Sequence, residues 1–418
     1  MQEKEKKGNS VQTFSRYQVF IITILSILQF TVVLDFMVLS PLGAILLDEL
    51  NINTAQFGLV VSAYAFSAGI SGILAAGFAD KFDRKKLLMF FYTGFIAGTL
   101  FCGLAPTYDI LLLARVITGL FGGVLSSIGL AIITDMFPME QRGRVMGFVQ
   151  MAFAASQVLG IPIGLVLANQ YGWHSPFLMI VVFSLFVALA VAMYMKPVKT
   201  HLLEKSEKNA LNHLLSIIRN KEYISAFLGT TLLATGGFML MPFASAFCTN
   251  NLGLSNEQLP VLYAVTGIFT MVLGPLAGKL SDSIGKYNMF IWGSFLAGIM
   301  VIIYTNMTIT PLWMVIVVNV LLFAGVTARI ISASALITGI PDIRDRGAFM
   351  SINSSVQQLS GGIASAIAGI MVYRRPSGML DGYDILGYTV VVTMIITLFL
   401  YLKINRILTG KKVVRPQP

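Results

Sequence analysis

Three ionisable side chains, Asp35, Arg115 and Arg329, lie inside long apolar stretches of this 418-residue sequence. Of its 19 acidic residues, all but Asp35 fall in tails, in loops or at the ends of apolar stretches. Ionisable groups in a membrane interior are energetically costly, so each one is a candidate for function. Asp35 is predicted to alternate between holding a proton and pairing with Arg115 or a solute. The alternative is a permanent ion pair between Asp35 and Arg115 that fixes two helices together.

Uncharged polar residues in the same stretches are candidates for a solute pathway, although hydrogen bonds between helices account for many such residues. Because two arginines oppose one carboxylate, the interior favours neutral or anionic amphiphiles over cations. Arg329 is predicted to contact the solute, and the alternative is a side chain that extends to the membrane interface. The other candidate pathway residues are Gln29, Tyr64, Gln150, Gln157, Asn319, Asn353, Gln357 and Gln358.

The elements that carry these residues are predicted to be membrane-spanning helices. The sequence is 56% hydrophobic and 11% charged, whereas a soluble domain has about 25% charged residues, so a soluble globule is excluded. Apolar runs long enough to cross a bilayer predict an all-α membrane protein with twelve spans in two six-helix bundles. The predicted spans are approximately 17–47, 57–79, 87–104, 110–137, 145–168, 177–195, 223–248, 259–280, 289–304, 312–340, 348–373 and 385–402.

Polar segments divide the chain further. Residues 1–16 and 403–418 are predicted to be cytoplasmic tails, and residues 196–222 a cytoplasmic linker between bundles 17–195 and 223–402. The alternate loops and tails on one side contain 25 of the 29 Lys and Arg residues, and the other side contains Arg374 and Arg375. Basic loops stay in the cytoplasm, so both termini are predicted to lie there, in an inner (plasma) membrane. The net charge of +10 is thereby explained by orientation, and no nucleic-acid partner is expected.

Orientation sets the depth of the charged residues. At the rise of an α-helix, Asp35 lies about 27 Å and Arg115 about 33 Å from the cytoplasmic ends of their spans. Arg329 lies about 17 Å from its own cytoplasmic end. We therefore expect Asp35 and Arg115 to meet, and Arg329 to face a different level.

A short motif occurs once in each half of the chain. Residues Ala76–Lys85 follow the second span, residues Gly278–Lys286 follow the eighth, and their aspartates Asp80 and Asp282 are 202 positions apart. A second pair, residues 138–143 and 341–347, has nearly the same offset. The two halves are therefore predicted to be parallel repeats, the plan of transporters whose solute site lies between two bundles. Acidic and basic motif residues are predicted to form a conformational latch, and the alternative is a solvated turn: Asp80, Arg84, Asp282, Lys286, Arg142 and Arg346.

At these residues the sequence resembles the major facilitator superfamily over nearly its whole length. Residues 112–123 are similar to a helix-4 motif of that family, and residues 147–164 to an antiporter motif of helix 5. Ala76 and Asp83 stand where glycines are usual, and the proline of residues 160–164 is one position later than usual. The resemblance implies the twelve-helix drug:proton antiporter branch, which includes predicted sugar-efflux members. Small residues and one proline are predicted to allow close helix packing: Gly119, Gly123, Gly160, Pro162 and Gly164.

Together, these features predict a secondary active transporter that works by alternating access and exports a small amphipathic, drug-like or sugar-like solute. A proton gradient is the expected energy source, with no cofactor and no metal, and the expected partners are the solute and the bilayer, with the chain a monomer. The alternatives are a uniporter or symporter, or an exporter of an anionic, lipid-like solute. A receptor or enzyme is a distant alternative, because no catalytic constellation is visible. Cys102 and Cys248 are interpreted as packing residues.

Overall fold

The structure is a computed structural model that describes residues 14–78, 82–199, 216–342 and 345–414. It is all-helical apart from one short hairpin. In this part of the chain, eleven helices are long and apolar enough to cross a membrane. They confirm a multi-pass, all-α protein.

The amino-terminal half, residues 14–199, contains eight helices. The fifth predicted span is one continuous helical segment, in which a π-helical turn, Ser156–Gly160, connects α6 to α7. The helices are α1 Arg16–Val38, α2 Gly43–Glu49, α3 Thr54–Phe78, α4 Arg84–Leu104, α5 Tyr108–Met136, α6 Met139–Ala155, α7 Ile161–Tyr171 and α8 Ser175–Tyr194.

The carboxy-terminal half, residues 216–414, repeats this order. A 3-10 turn, Met241–Phe243, joins α9 to α10. Its elements are α9 Lys221–Leu240, α10 Ala244–Asn250, α11 Leu259–Ile284, α12 Lys286–Thr305, α13 Leu312–Ile337, α14 Arg346–Met371, β1 Tyr373–Arg374, β2 Leu380–Asp381 and α15 Tyr383–Val414.

Two predicted spans are interrupted at equivalent places. The first was predicted to run to residue 47, but α1 ends at Val38 and α2 begins at Gly43. Pro41 lies in this gap, and Pro242 lies in the turn between α9 and α10. A proline has no N–H to donate to the preceding helical turn, which ends or bends the helix. The two prolines are 201 positions apart, so both halves have the same break.

One predicted span, α14, is not among the eleven apolar helices. Its 26 residues are long enough to cross a bilayer, but serine, glycine and glutamine residues lower its hydropathy. It pairs antiparallel with α3 along most of its length: Thr54 Oγ1 donates to Val372 O over 2.5 Å, and Ser62 Oγ donates to Gly362 O over 2.8 Å. Small residues on α14 let the two backbones approach closely.

The bundle has two distinct ends. At the first, α1 begins where α5 and α8 end: Phe14 contacts Phe137, and Tyr17 Oη accepts a hydrogen bond from Lys196 N. We call this the basic end, because the basic loops lie there. The opposite end contains the loop between α1 and α3 and the β1–β2 hairpin.

Besides the pairing of α3 with α14, polar contacts join the halves at the opposite end. Ser245 Oγ donates to Ser40 O over 3.0 Å and accepts from Ala44 N over 3.3 Å, so one buried hydroxyl joins the two proline breaks. Arg374 Nη1 lies 2.5 Å from Asp48 Oδ1 across the same gap. The halves are therefore closed together at the opposite end.

Glycines on α5 allow α3 to pack against it at backbone distance. A Cβ on Gly119 would lie 2.4 Å from Tyr64 O, and one on Gly123 would lie 2.5 Å from the Cα of Ala68. The neighbours are backbone atoms, which cannot move aside cheaply.

We expect Gly123→Leu to destabilise the protein by about 1–3 kcal/mol or more, because a side chain there forces α3 and α5 apart. Gly147→Leu is the matched control, since no atom lies within 4 Å of its added Cβ. The check is the free energy of unfolding in detergent. Equal stability of the two variants would contradict the close packing.

Candidate functional site

Asp35 forms a buried ion pair with Arg115. Arg115 Nη1 lies 2.8 Å from Asp35 Oδ2, and Thr99 Oγ1 donates a hydrogen bond of 3.1 Å to Asp35 Oδ1. Both carboxylate oxygens therefore have a donor. The residues Asp35 and Arg115 are both 0% exposed. The two charges that the sequence placed at a common depth thus meet inside the amino-terminal half.

Four helices position this pair. Asp35 lies near the end of α1, Thr99 on α4 and Arg115 on α5, and the Arg115 guanidinium lies 4.5 Å from the ring centroid of Tyr64 on α3. Tyr64 also packs against Phe36, with centroids 5.3 Å apart. A cation over an aromatic face is attracted by the ring electrons, so Tyr64 partly stabilises the guanidinium. Arg115 Nε has no hydrogen-bond partner.

Removing one partner of the ion pair costs more free energy than the intact pair contributes to stability. A well-bonded buried ion pair gains little over an apolar replacement, but removing one partner leaves an uncompensated charge and costs about 3–5 kcal/mol. Any step that separates Asp35 from Arg115 therefore needs a proton or another charged group to replace the lost partner. This is the chemistry that the site can perform.

A cavity of about 220 Å³ lies between the halves, on the basic-end side of the ion pair. Met350 and Ser351 at the start of α14 and Ile133 near the end of α5 place it there. Apolar and polar side chains line the cavity together, and its polar lining residues are Gln29, Ser126, Ser127, Gln150, Ser351, Ser354, Ser355 and Gln358. No charged side chain lines the cavity in the part of the chain that the structure describes.

The cavity brings together only some of the predicted pathway residues. Gln29 accepts a hydrogen bond of 3.0 Å from Ser126, and Gln150 and Gln358 also line the wall. The remaining candidates lie elsewhere. Asn319 donates to Thr266 over 3.1 Å, Asn353 accepts from Thr230 over 2.6 Å, Gln157 lies in the π-helical turn, and Gln357 is exposed beside the cavity.

Arg329 does not line the cavity. Its side chain lies within the carboxy-terminal half, between α12 and α15, with Nη2 3.5 Å from Thr397 Oγ1 and the guanidinium 5.5 Å from the ring centroid of Phe290. It is 4% exposed. The structure therefore separates Arg329 both from the cavity and from Asp35.

The family model of the Major Facilitator Superfamily matches this chain twice, over residues 25–230 and 226–417. The chain belongs to the major facilitator superfamily. The two matches divide it near residue 228, close to the start of α9.

Similar proteins agree with this membership. The chain is 28% identical over 271 residues to the uncharacterized MFS-type transporter YceJ of Bacillus subtilis (strain 168), covering 64% of this chain and 68% of that protein. It is 23% identical over 379 residues to the uncharacterized MFS-type transporter YbcL of the same organism, covering 90% and 95%. A crystal structure of a bacterial homologue of the human lysosomal transporter Spinster, inward-facing and unoccupied, has a TM-score of 0.75 at 18% identity, covering 95% and 99%. This superfamily chain is a membrane transporter and not an enzyme.

The superfamily's first cytoplasmic motif is only partly within the described residues, because Asp80 lies outside them. Arg84 forms an ion pair of 3.0 Å with Asp135 at the end of α5, and Arg142 donates to Thr134 O over 2.7 Å and to Phe137 O over 2.9 Å. All of these contacts stay within the amino-terminal half.

The second copy of the superfamily motif is more open. Gly285 has φ of +94°, which allows the sharp turn from α11 to α12. Asp282, Lys286 and Arg346 are exposed and form no ion pair with the described residues. In this conformation, the described basic residues of the first copy therefore bind to groups of their own half, and the charged residues of the second copy face solvent.

The helix-5 motif glycines of the superfamily face α1. A Cβ on Gly160 would lie 2.6 Å from Leu34 Cδ1, and one on Gly164 would lie 3.0 Å from Val38 Cγ2. Pro162 follows the π-helical turn, in which Ile161 N donates to Ser156 O. The extra residue of the turn accommodates the missing N–H of Pro162. The turn also presents Gln157 and Val158 to Gly267 of α11.

Sequence reasoning missed the contacts of Thr99 and Asp83. Thr99 gave no signal, because a threonine in an apolar helix has many uses. Asp83 did give a signal, since it stands where the family usually has glycine. It caps α4 by accepting a 2.8 Å hydrogen bond from Lys85 N, and it also accepts one of 3.3 Å from Val198 N.

We expect a double-mutant cycle to find strong coupling between Asp35 and Arg115. Asp35→Asn and Arg115→Met should each destabilise the protein by about 3–5 kcal/mol, because each leaves a buried charge unpaired. The double variant should be markedly more stable than the sum of the single effects predicts. The measurement is the unfolding free energy in mixed micelles.

The exposed pair Asp48 and Arg374 is the matched control, with an expected coupling of about 0–1 kcal/mol. Additive effects at Asp35 and Arg115 would contradict the buried pair.

Proposed function

We propose that this chain is a proton-coupled secondary active transporter that exports a small neutral solute of amphipathic or sugar-like chemistry. In this proposal, twelve helices form two six-helix bundles that rock about a central site. The observation that carries the proposal is the sealed pair of Asp35 and Arg115 on α1 and α5, two helices that also line a cavity with no charged lining residue in the described part of the chain.

Alternating access is supported by the uneven distribution of contacts between the halves. Ser245, Thr54 and Arg374 join the halves at the opposite end, whereas the cavity separates them toward the basic end. The basic loops favour a cytoplasmic basic end. On that assignment the conformation is inward-facing, the termini are cytoplasmic, and the protein lies in the plasma membrane as a monomer.

Proton coupling is assigned to Asp35. It is the only acidic residue deep within a span in the described part of the chain, and α1 and α5, which hold the pair, also line the cavity through Gln29 and Ser126. In this proposal, rocking the halves apart at the opposite end separates Phe36, next to Asp35, from Phe238 of the other half, whose ring centroids lie 5.6 Å apart, and so opens a path from the proton-rich side to Asp35. Protonation releases Arg115 from its partner, and return to the sealed pair releases the proton.

A neutral solute is favoured over a charged one. Lining amides and hydroxyls donate and accept hydrogen bonds without a net charge, which suits the hydroxyls of a sugar-like solute. The apolar lining residues, which include Leu25, Met146 and Met350, suit an aliphatic or aromatic portion. An anionic substrate would need a basic lining residue, and Arg329 lies outside the cavity.

A uniporter or symporter remains the second candidate. The specific observation behind it is the saturated carboxylate of Asp35, whose two oxygens both accept hydrogen bonds in a sealed environment. Such a pair could tie α1 to α5 without exchanging protons.

We expect Asp35→Asn to abolish accumulation driven by a pH gradient while leaving passive exchange of the solute intact. Asn cannot take up a proton at this position, but it can still accept from Arg115 or Thr99. The measurement is uptake into proteoliposomes with and without a gradient, using a solute found in a thermal-shift screen of alkyl glycosides, quaternary ammonium dyes and alkyl sulfonates.

Asp48→Asn is the control, since it changes an exposed carboxylate at the opposite end. Full gradient-driven accumulation by Asp35→Asn would refute the coupling role of Asp35, whereas a wild type that equilibrates the solute without responding to the gradient would favour the uniporter.

Two adjacent glutamines test the cavity. Gln358 lines it, whereas Gln357 is exposed beside it. We expect Gln358→Ala to weaken solute binding about 2- to 10-fold, the value of one hydrogen bond, and Gln357→Ala to leave affinity unchanged. The check is a binding isotherm with the strongest glycoside from the screen. Equal affinities of the two variants would remove the cavity as the solute site.

A further inference from the structure

The carboxy-terminal half contains a buried positive charge without a counter-charge. The Arg329 side chain, on α13, contacts no carboxylate in the described residues; its contacts are Thr397 Oγ1 and the face of Phe290. An isolated charge in a low-dielectric interior is expensive unless it is paired. A group other than Thr397 and Phe290 must therefore compensate the charge of Arg329.

Two buried polar atoms of this cluster, Arg329 Nε and Tyr401 Oη, have no hydrogen-bond partner among the described residues. The two side chains are close enough to interact electrostatically, and Tyr401 stacks on Phe290 with ring centroids 4.4 Å apart. The N–H of a guanidinium can only donate, and a phenol can donate. The cluster therefore offers a donor from α13 and a donor from α15 that have no acceptor among the described residues.

The fold itself does not require an arginine here. Burial along α13 repeats the pattern of α5 at an offset of 204 positions. In both residues 124–128 and residues 328–332, the first, second and fifth positions are buried, the third is exposed and the fourth is half-buried. In this alignment Leu125, which is 0% exposed, occupies the place of Arg329. The equivalent site in the amino-terminal half is thus filled by an apolar side chain.

We propose that Arg329 and Tyr401 bind a small monovalent anion, such as chloride, between α12, α13 and α15. A water molecule would satisfy the two donors but would leave the charge uncompensated. An anion provides both an acceptor and a negative charge. Arg329 lies about 12 Å from the end of α13 at the basic end, where the exposed Lys403 and Arg406 attract anions.

The site is separate from the proposed transport chemistry. It contacts neither the cavity nor Asp35, and its occupant stabilises the carboxy-terminal half whether or not a proton is moved. Its tests therefore need no transported solute and no pH gradient, and their failure would leave the proposed function unaffected.

The first test is thermal unfolding of the full chain in nanodiscs of zwitterionic lipid. Gluconate is replaced by chloride or bromide at constant pH and ionic strength. Because an anion that binds the folded state stabilises it by mass action, we expect a saturable rise in Tm for the wild type. Arg329→Leu, which introduces the residue found at position 125, should lose the rise. Lys286→Met, an exposed basic-end control, should keep it.

The second test is equilibrium binding of radiolabelled chloride. We expect about one ion per wild-type chain, at least tenfold weaker binding by Arg329→Leu, and several-fold weaker binding by Tyr401→Phe, which keeps the ring stack and removes only the hydroxyl. Absence of saturable binding by the wild type would overturn the proposal, as would undiminished binding by Arg329→Leu. If nanodiscs of anionic lipid abolish the chloride response, a headgroup phosphate is the ligand and the free-anion site is refuted.

Discussion

The organisation of the amino-terminal half depends on the ion pair between Asp35 and Arg115. The pair is fully buried, and it joins α1 to α5 directly, α4 through Thr99 and α3 through Tyr64. A charge sealed in this way cannot lose its partner without replacement. The same physical cost that makes the pair a firm structural tie means that separating it requires a proton or another charged group to replace the lost partner. The structural tie and the proposed coupling role therefore rest on one interaction.

The second constraint is the way the halves meet. Proline breaks at equivalent positions bring Ser40, Ala44 and Ser245 together, and glycines let α3 approach α14 and α5 at backbone distance. Such contacts are short and specific, so the interface has discrete arrangements rather than a continuous range. This packing closes the halves at the opposite end and leaves a cavity between them toward the basic end. The Gln29 and Ser126 pair lies where the cavity meets the helices that hold the ion pair.

Sequence reasoning found the features that follow from solvation. Apolar length predicted the helices, and isolation in apolar stretches identified Asp35, Arg115 and Arg329 as unusual. It did not anticipate features that depend on three-dimensional packing. The breaks after Val38 and Leu240 were missed because their flanks stay apolar, and the low hydropathy of α14 reflects a face that packs on α3 and lines the cavity. The direction of a side chain was also inaccessible: depth along the spans predicted the meeting of Asp35 and Arg115, but it did not show that Arg329 packs between α12 and α15 instead of lining the cavity.

The central claim is that Asp35 changes its protonation state during the transport cycle. Infrared difference spectroscopy of the purified protein, recorded with and without bound solute, tests it most directly. The account predicts a neutral carboxylic-acid band that changes with the solute and with pH and is missing in Asp35→Asn. A carboxylate of Asp35 that stays ionised in both states across the accessible pH range would contradict it.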